Sequence, residues 1–258
     1  MIGFDNLAIN HQLLLGYPFR EMTGGVGAAV DGEIVLDRAK PHHLGTLSIN
    51  GTGAMNWGEV AASHSPELEF IPTIGVPANW SWIEILAAAA ADLDFTTEDF
   101  SLVAWIYLSN LAREHTIICY GAQAVVNGGG YQLFTSLATP SRLTFAICQG
   151  TTIQSIVSEA ELNAATWHLI GATRNGTVGK VYINGKDRTT SANAIVDPVT
   201  QTEPFHIGVR QIETTGVGIN YDTPFEGYQA YPRVWGSRCL TDEDMLEIWN
   251  GERQLFGM

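Results

Sequence analysis

Charge is scarce in this chain of 258 residues and is mostly of one sign: 16% of residues are charged, 13 basic against 27 acidic, for a formal net charge of −14. Such a surface repels polyphosphate and anionic headgroups, so neither nucleic acid nor membrane is an expected partner. No basic run with interleaved aromatics is present. The longest apolar-looking run, WIEILAAAAADLDF, is interrupted by Glu84 and Asp92 and is too short to cross a bilayer. No basic head precedes the apolar part of MIGFDNLAINHQLLLG, where Asp5 and Asn6 stand. The expectation is a soluble protein without an export signal, found in the cytoplasm or a virion and outside a cell only as part of an exported assembly. Cysteine is rare as well. Cys119, Cys148 and Cys239 are an odd number with wide spacing, two of them inside apolar runs, which favours reduced buried thiols over a disulfide frame or a zinc site.

Catalytic patterns are also missing. The histidines, His11, His42, His43, His64, His115, His168 and His206, show no metal-ligand spacing and no cysteine partners. No Gly-x-Ser-x-Gly elbow occurs, and NGGGY (Asn127 to Tyr131) precedes a strand, so it is a loop and not a phosphate cradle. The acidic clusters at 92–94, 98–99 and 242–244 sit where a strand or helix begins, which is the usual place for caps and solvated charge.

What the chain does have is a series of short apolar runs separated by Gly, Asn, Asp and Pro. Among them are HLGTLSI, WSWIEIL, FSLVAWIYL, HTIICYG, GYQLFTSL, RLTFAICQ, IQSIVSE, WHLIGATRN, GKVYING and PFHIGVR. This spacing predicts an all-β sandwich. In WHLIGATRN both alternating faces are apolar, so that strand lies between two layers. Asn175-Gly176 and Asn184-Gly185 supply tight turns. One helix is expected near the end, in LTDEDMLEIWNG, with Thr241 as cap, Met245, Ile248 and Trp249 on one face, and Gly251 as the stop. The alanines from Ala87 to Ala91 form a connector. No linker divides the chain, so 1–258 is read as one domain.

The order of these motifs carries a resemblance. Trp167 with HLIGATRNG and KVYINGK, preceded by YPFREMTG, HHLGTL and LDFTTEDFSLVAWIYL, and followed by PFHIGVR and PFEGYQAYPRVWGSRCLTDEDMLEIWNG, resembles the laminin-G-like branch of the concanavalin A-like lectin/glucanase superfamily over about 14–251. The resemblance implies an all-β jelly-roll sandwich of two antiparallel sheets with a short C-terminal helix. It also allows two functional tests. Glucan-cleaving members carry a Glu-x-Asp-x-Glu set on one strand, and none is found, so glycoside hydrolysis is the least favoured function and no enzyme is expected. Members that bind calcium commonly have Asp-Glu in the closing strand, where this chain has Ala230 and Tyr231; no cofactor is expected, and calcium stays open only through Asp31, Glu33 and Asp37.

Binding by surface remains. Trp57, Trp80 and Trp82 are the candidate ligand residues, with Trp80 and Trp82 on one strand face as an exposed patch for sugar rings. The leading expectation is a non-catalytic interaction module, a decoration or adhesion component on a larger assembly such as a bacteriophage virion. The alternative is a glycan-binding, lectin-like module. The matching partners are proteins of an assembly or surface glycans, and the low charge is compatible with a homo-oligomer.

Overall fold

Alternation of side chains decides the architecture. In the segment Phe100–Leu108, Leu102, Ala104 and Ile106 point to one side and Val103 and Trp105 to the other, and all are fully buried. A strand that is apolar on both faces has to lie between two layers. The computed structural model describes residues 8–19, 27–40, 42–58, 65–73, 79–121, 128–137, 141–190, 194–214 and 218–258. Asp5, Asn6, His64, Asn127 and the 20–24 part of the YPFREMTG motif lie outside the described residues.

In chain order the described strands begin with β1 (Leu13–Gly16), β2 (Gly27–Ala28), β3 (Ile34–Val35), β4 (Gly45–Ile49), β5 (Ala54–Gly58), β6 (Glu67–Ile71) and β7 (Ser81–Ile85). Next come β8 (Phe100–Leu108), β9 (His115–Tyr120), β10 (Gly129–Thr135), β11 (Arg142–Gln149), β12 (Thr152–Glu161) and β13 (Trp167–Asn175). The series closes with β14 (Val178–Ile183), β15 (Lys186–Asp187), β16 (Phe205–Ile207), β17 (Arg210–Thr214), β18 (Gly218–Asp222), β19 (Gly227–Gly236) and the helix α1 (Asp242–Glu252). One antiparallel sheet runs β15-β14-β13-β8-β19-β6-β5-β2, with β1 also paired to β19; the other runs β12-β11-β10-β9-β16-β7-β4-β3. They face each other as a jelly-roll sandwich. Leu102, Ala104, Ile106, Ile170 and Ala172 of the first sheet share a core with Leu133, Phe145 and Ile147 of the second.

The outer face of the first sheet is covered by α1. Val103, Trp105, Trp167 and Leu169 pack there with Met245, Ile248 and Phe256, and Trp105 stacks on Phe256 with ring centroids 4.1 Å apart. Thr241 caps the helix in a reciprocal box with Asp244. Asp242 accepts from Lys180 at 2.8 Å and Tyr182 at 2.7 Å, and these partners hold its carboxyl below the usual aspartate range. Gly251 does not end the helix, which runs to Glu252, continues as a 3-10 turn over Arg253–Phe256 and stops at left-handed Gly257. The reason is Glu252: it accepts from Arg233 at 2.7 and 2.8 Å and from Trp105 Nε1 at 2.7 Å, which offsets the roughly 1 kcal/mol that a mid-helix glycine costs. The alanine connector folds as two 3-10 turns, Ala87–Ala89 and Ala91–Leu93, the second burying Leu93.

The outer face of the second sheet has a different cover. There β17 and β18 form a separate hairpin, pinned by Arg210 Nε donating to Asp222 at 2.6 Å. Val209 and Tyr221 roof Trp80 and Trp82, with the Trp82 and Tyr221 ring centroids 4.5 Å apart.

Candidate ligand-binding cleft

The three nominated tryptophans are not an exposed patch. Trp57 is 4% exposed, Trp80 6% and Trp82 4%. On β5 the side chains of Met55 and Trp57 turn inward, so Trp57 meets Phe19 edge-on at 6.1 Å and donates from Nε1 to Glu33 at 3.1 Å. Trp80 and Trp82 do share a face, as their alternation requires, but the β17–β18 hairpin covers it. The structure brings Trp80 and Trp82 together and leaves Trp57 apart in the interlayer core.

One edge of Trp80 nevertheless reaches a cleft of about 390 Å³, lined also by Ala112, Arg113, Glu114, Leu137, Thr223 and Pro224. Its walls are three chain segments: the loop between β8 and β9, the end of β10, and the turn after β18. The loop is shaped locally, with Asn110 Oδ1 accepting from the Ala112 amide at 3.1 Å. His115 then ties the walls together. Its Nε2 donates to the Asn110 carbonyl at 3.0 Å, and its Nδ1 accepts from the Glu226 amide at 3.3 Å. This arrangement needs the neutral ring. Burial, followed by the nearby Arg113 charge, pushes the His115 pKa down to about 4. On the other side, Thr116 and Thr223 join by their amide and carbonyl at 3.0 Å and by their hydroxyls at 2.7 Å.

The cleft mixes apolar and polar groups. Leu137 is 59% exposed at its rim, while Arg113 pairs with Glu226 at 3.3 Å and Arg210 reaches Glu114 at 3.8 Å. Among the described residues the buried Nε1 of Trp80 and Nε of Arg113 find no acceptor. An apolar platform beside donors and acceptors suits a ligand that carries CH faces and hydroxyls. Both nitrogens of His115 are engaged by backbone, so it holds the walls and does not transfer protons. Arg113, Glu114 and Thr223 carry no signal in the sequence, because charged and hydroxyl residues in a loop look like ordinary solvated surface.

The residues considered for calcium are engaged by the fold. Ala230 is fully buried and has no side-chain oxygen, and Tyr231 sits at a bulge of β19 with φ of 48°. The Asp31 carboxylate accepts from Ile49, Glu33 from Val30 and Trp57, and Asp37 from Gly16, Ala39 and His43, so each serves the fold. His43 stands between Asp37 at 3.3 Å and Asp92 at 2.6 Å, and the one nitrogen of His168 in use accepts from the Asn163 amide at 3.2 Å. Among the described residues no helix is long and apolar enough to cross a membrane.

A family model described as concanavalin A-like lectin/glucanases superfamily, of laminin-G type, matches residues 86–245. No curated protein matches the chain. Solved structures do. Domain 4 of AbnA, a GH43 extracellular arabinanase from Geobacillus stearothermophilus, in complex with arabinotriose, has a TM-score of 0.61 and 18% identity over 92% of this chain and 98% of that one. A botulinum neurotoxin type C structure, whose cell entry depends on two ganglioside molecules, has a TM-score of 0.61 and 17% identity over 94% of this chain and 52% of that one. The binding domain of botulinum neurotoxin DC in complex with SialylT has a TM-score of 0.58 and 14% identity over 95% and 52%. The chain thus spans about half the length of the neurotoxin structures it matches.

Proposed function

The chain belongs to the concanavalin A-like lectin/glucanases superfamily, and from that premise we propose that it is a non-catalytic glycan-binding module, one sandwich spanning 1–258. The observation that carries this reading is the cleft at Trp80, where an indole edge and Leu137 adjoin Arg113, Glu114 and Thr223. Sugar rings present apolar CH faces flanked by hydroxyls, and such a wall answers both. The arabinotriose, ganglioside and SialylT ligands of the structural neighbours support the same ligand class. A decoration or adhesion role on a larger assembly is the other reading, and it would use protein contacts where this one uses sugar.

The test is a glycan array probed with the purified protein, in calcium and again in chelator, beside the Arg113→Ala variant. Binding of a defined glycan that falls about tenfold in Arg113→Ala, with the melting temperature unchanged, is the expected result. Silence in both buffers overturns the glycan reading, and binding that ignores Arg113 moves it away from this cleft. Loss on chelation would mean that an ion takes part despite Ala230 and Tyr231.

A further inference from the structure

We propose a second binding site, for a carboxylate-bearing sugar such as a uronic acid, in a cleft at the β13–β15 edge of the helix-covered sheet. This cleft, also of about 390 Å³, shares no residue with the first. The sugar part of the assignment rests on the glycan-binding reading above; the carboxylate part rests on this cleft alone.

The β14–β15 turn builds one wall. Ile183 pairs with Lys186 across a two-residue loop in which Asn184 and Gly185 have φ of 55° and 74°, the conformation of a tight hairpin turn. Asn184 is fastened to β13 twice, its amide donating to the Leu169 carbonyl at 2.7 Å and its Oδ1 accepting from the Leu169 amide at 3.0 Å. The second fixes the side chain and, among the described residues, leaves its NH2 group without a partner. Gly185 lets the turn lie against α1: a Cβ there would sit 2.7 Å from Trp249 Cβ. Trp249, half-buried, stacks on Trp105 at 5.3 Å and also lines the cleft.

His168 supplies the pointer to a ligand. It is only 5% exposed and lines the cleft, and its Nε2 accepts from the Asn163 amide, so in the neutral ring the proton is on Nδ1. That Nδ1 is buried and, among the described residues, has no acceptor. Native proteins seldom leave a buried donor unpaired, and a bound oxygen would complete it. Two cations and two carboxylates stand around it: exposed Lys186, Arg188 paired with Glu159 at 3.2 Å, and Glu161. Lys186, which among the described residues forms no ion pair, stands beside the unpaired Nδ1 donor and favours an anionic group, and the indole supplies a face for a ring.

The experiment uses the full chain with 15N-labelled histidine and follows the His168 ring nitrogens by NMR at low ionic strength. The probes are trigalacturonate, galactotriose and a triaspartate peptide. Trigalacturonate is expected to shift the His168 signals saturably, about tenfold more weakly in Lys186→Ala and unchanged in Arg113→Ala. Lys186 is exposed and its side chain holds no partner among the described residues, so that variant keeps its fold. Equal binding of galactotriose overturns the carboxylate preference, and equal binding of triaspartate overturns the sugar. No His168 response, or one that depends on Arg113, overturns the site. Because Arg113→Ala reports the first cleft and Lys186→Ala the second, either assignment can fail without the other.

Discussion

At the scale of single residues, two buried histidines respond to pH in opposite directions. His115 is held neutral, with its pKa near 4 against an ordinary value of 6.5, so the unfolded chain binds its proton first as pH falls. Its contribution to stability is therefore intact above pH 6.5 and declines between about 6.5 and 4, by an amount on the order of 3 kcal/mol. Chemical denaturation across that window should show the loss, with a shallower slope in His115→Gln, whereas glycan binding at the Trp80 cleft should hold until pH falls to about 4, where the folded-state ring itself takes a proton and the loop tie loosens. Burial disfavours a charge on His43, yet Asp37 and Asp92 outweigh it and hold its pKa above the ordinary value. What His43 adds is complete below pH 6.5 and is lost as pH rises through its folded-state value, so His43→Gln should cost more in mild acid than in alkali. Packing sets a third expectation. Trp167 is 3% exposed between Tyr107 and Phe256, and Trp167→Ala should cost about 3–5 kcal/mol by urea denaturation. An unchanged midpoint would show that this face is not packed.

Among the elements, α1 and the strands beneath it are the clearest case of sequence specifying structure. β8, β11 and β13 have the boundaries their apolar runs suggest, because each run is long and ends at a polar or turn-forming residue. Thr241 caps as its spacing to Asp244 implies, and Thr241→Ala should lower stability by about 1 kcal/mol. Gly185→Ala should cost more, since it adds strain at a positive φ to a clash with Trp249, and the loss of α1 docking would show as a lower melting temperature. Other elements had little legible signal. β2 and β3 are two residues each and exist through their pairing with β5 and β4. The β17–β18 hairpin, RQIET and GINYD, offers only Ile212 and the alternating Ile219 and Tyr221 as apolar signal and is held by the Arg210–Asp222 pair and by Tyr221 on Trp82. That hairpin decided the site. The shared face of Trp80 and Trp82 could be read from alternation, but its burial depends on residues more than a hundred positions further along.

Taken whole, the molecule has both outer sheet faces covered, by α1 on one side and the hairpin on the other, so binding falls to loop ends and sheet edges. Its cysteines offer a check on whether the sandwich opens as a unit. Cys119 and Cys148 are buried, Cys239 is half-buried, and burial pushes the Cys119 thiol up to about 12. A disulfide reagent at neutral pH should label Cys239 first, and Cys119 and Cys148 together at the rate of global unfolding. Separate rates for the last two would argue against one cooperative domain. The burial of the indoles has an optical consequence too. Of the seven tryptophans, six are enclosed and Trp249 alone is half-buried, at the second cleft. A polar quencher such as iodide should therefore extinguish a single component of an otherwise protected emission. That component becomes a built-in gauge: a sugar seated against the ring would shield it, and occupancy could be followed by light without any label.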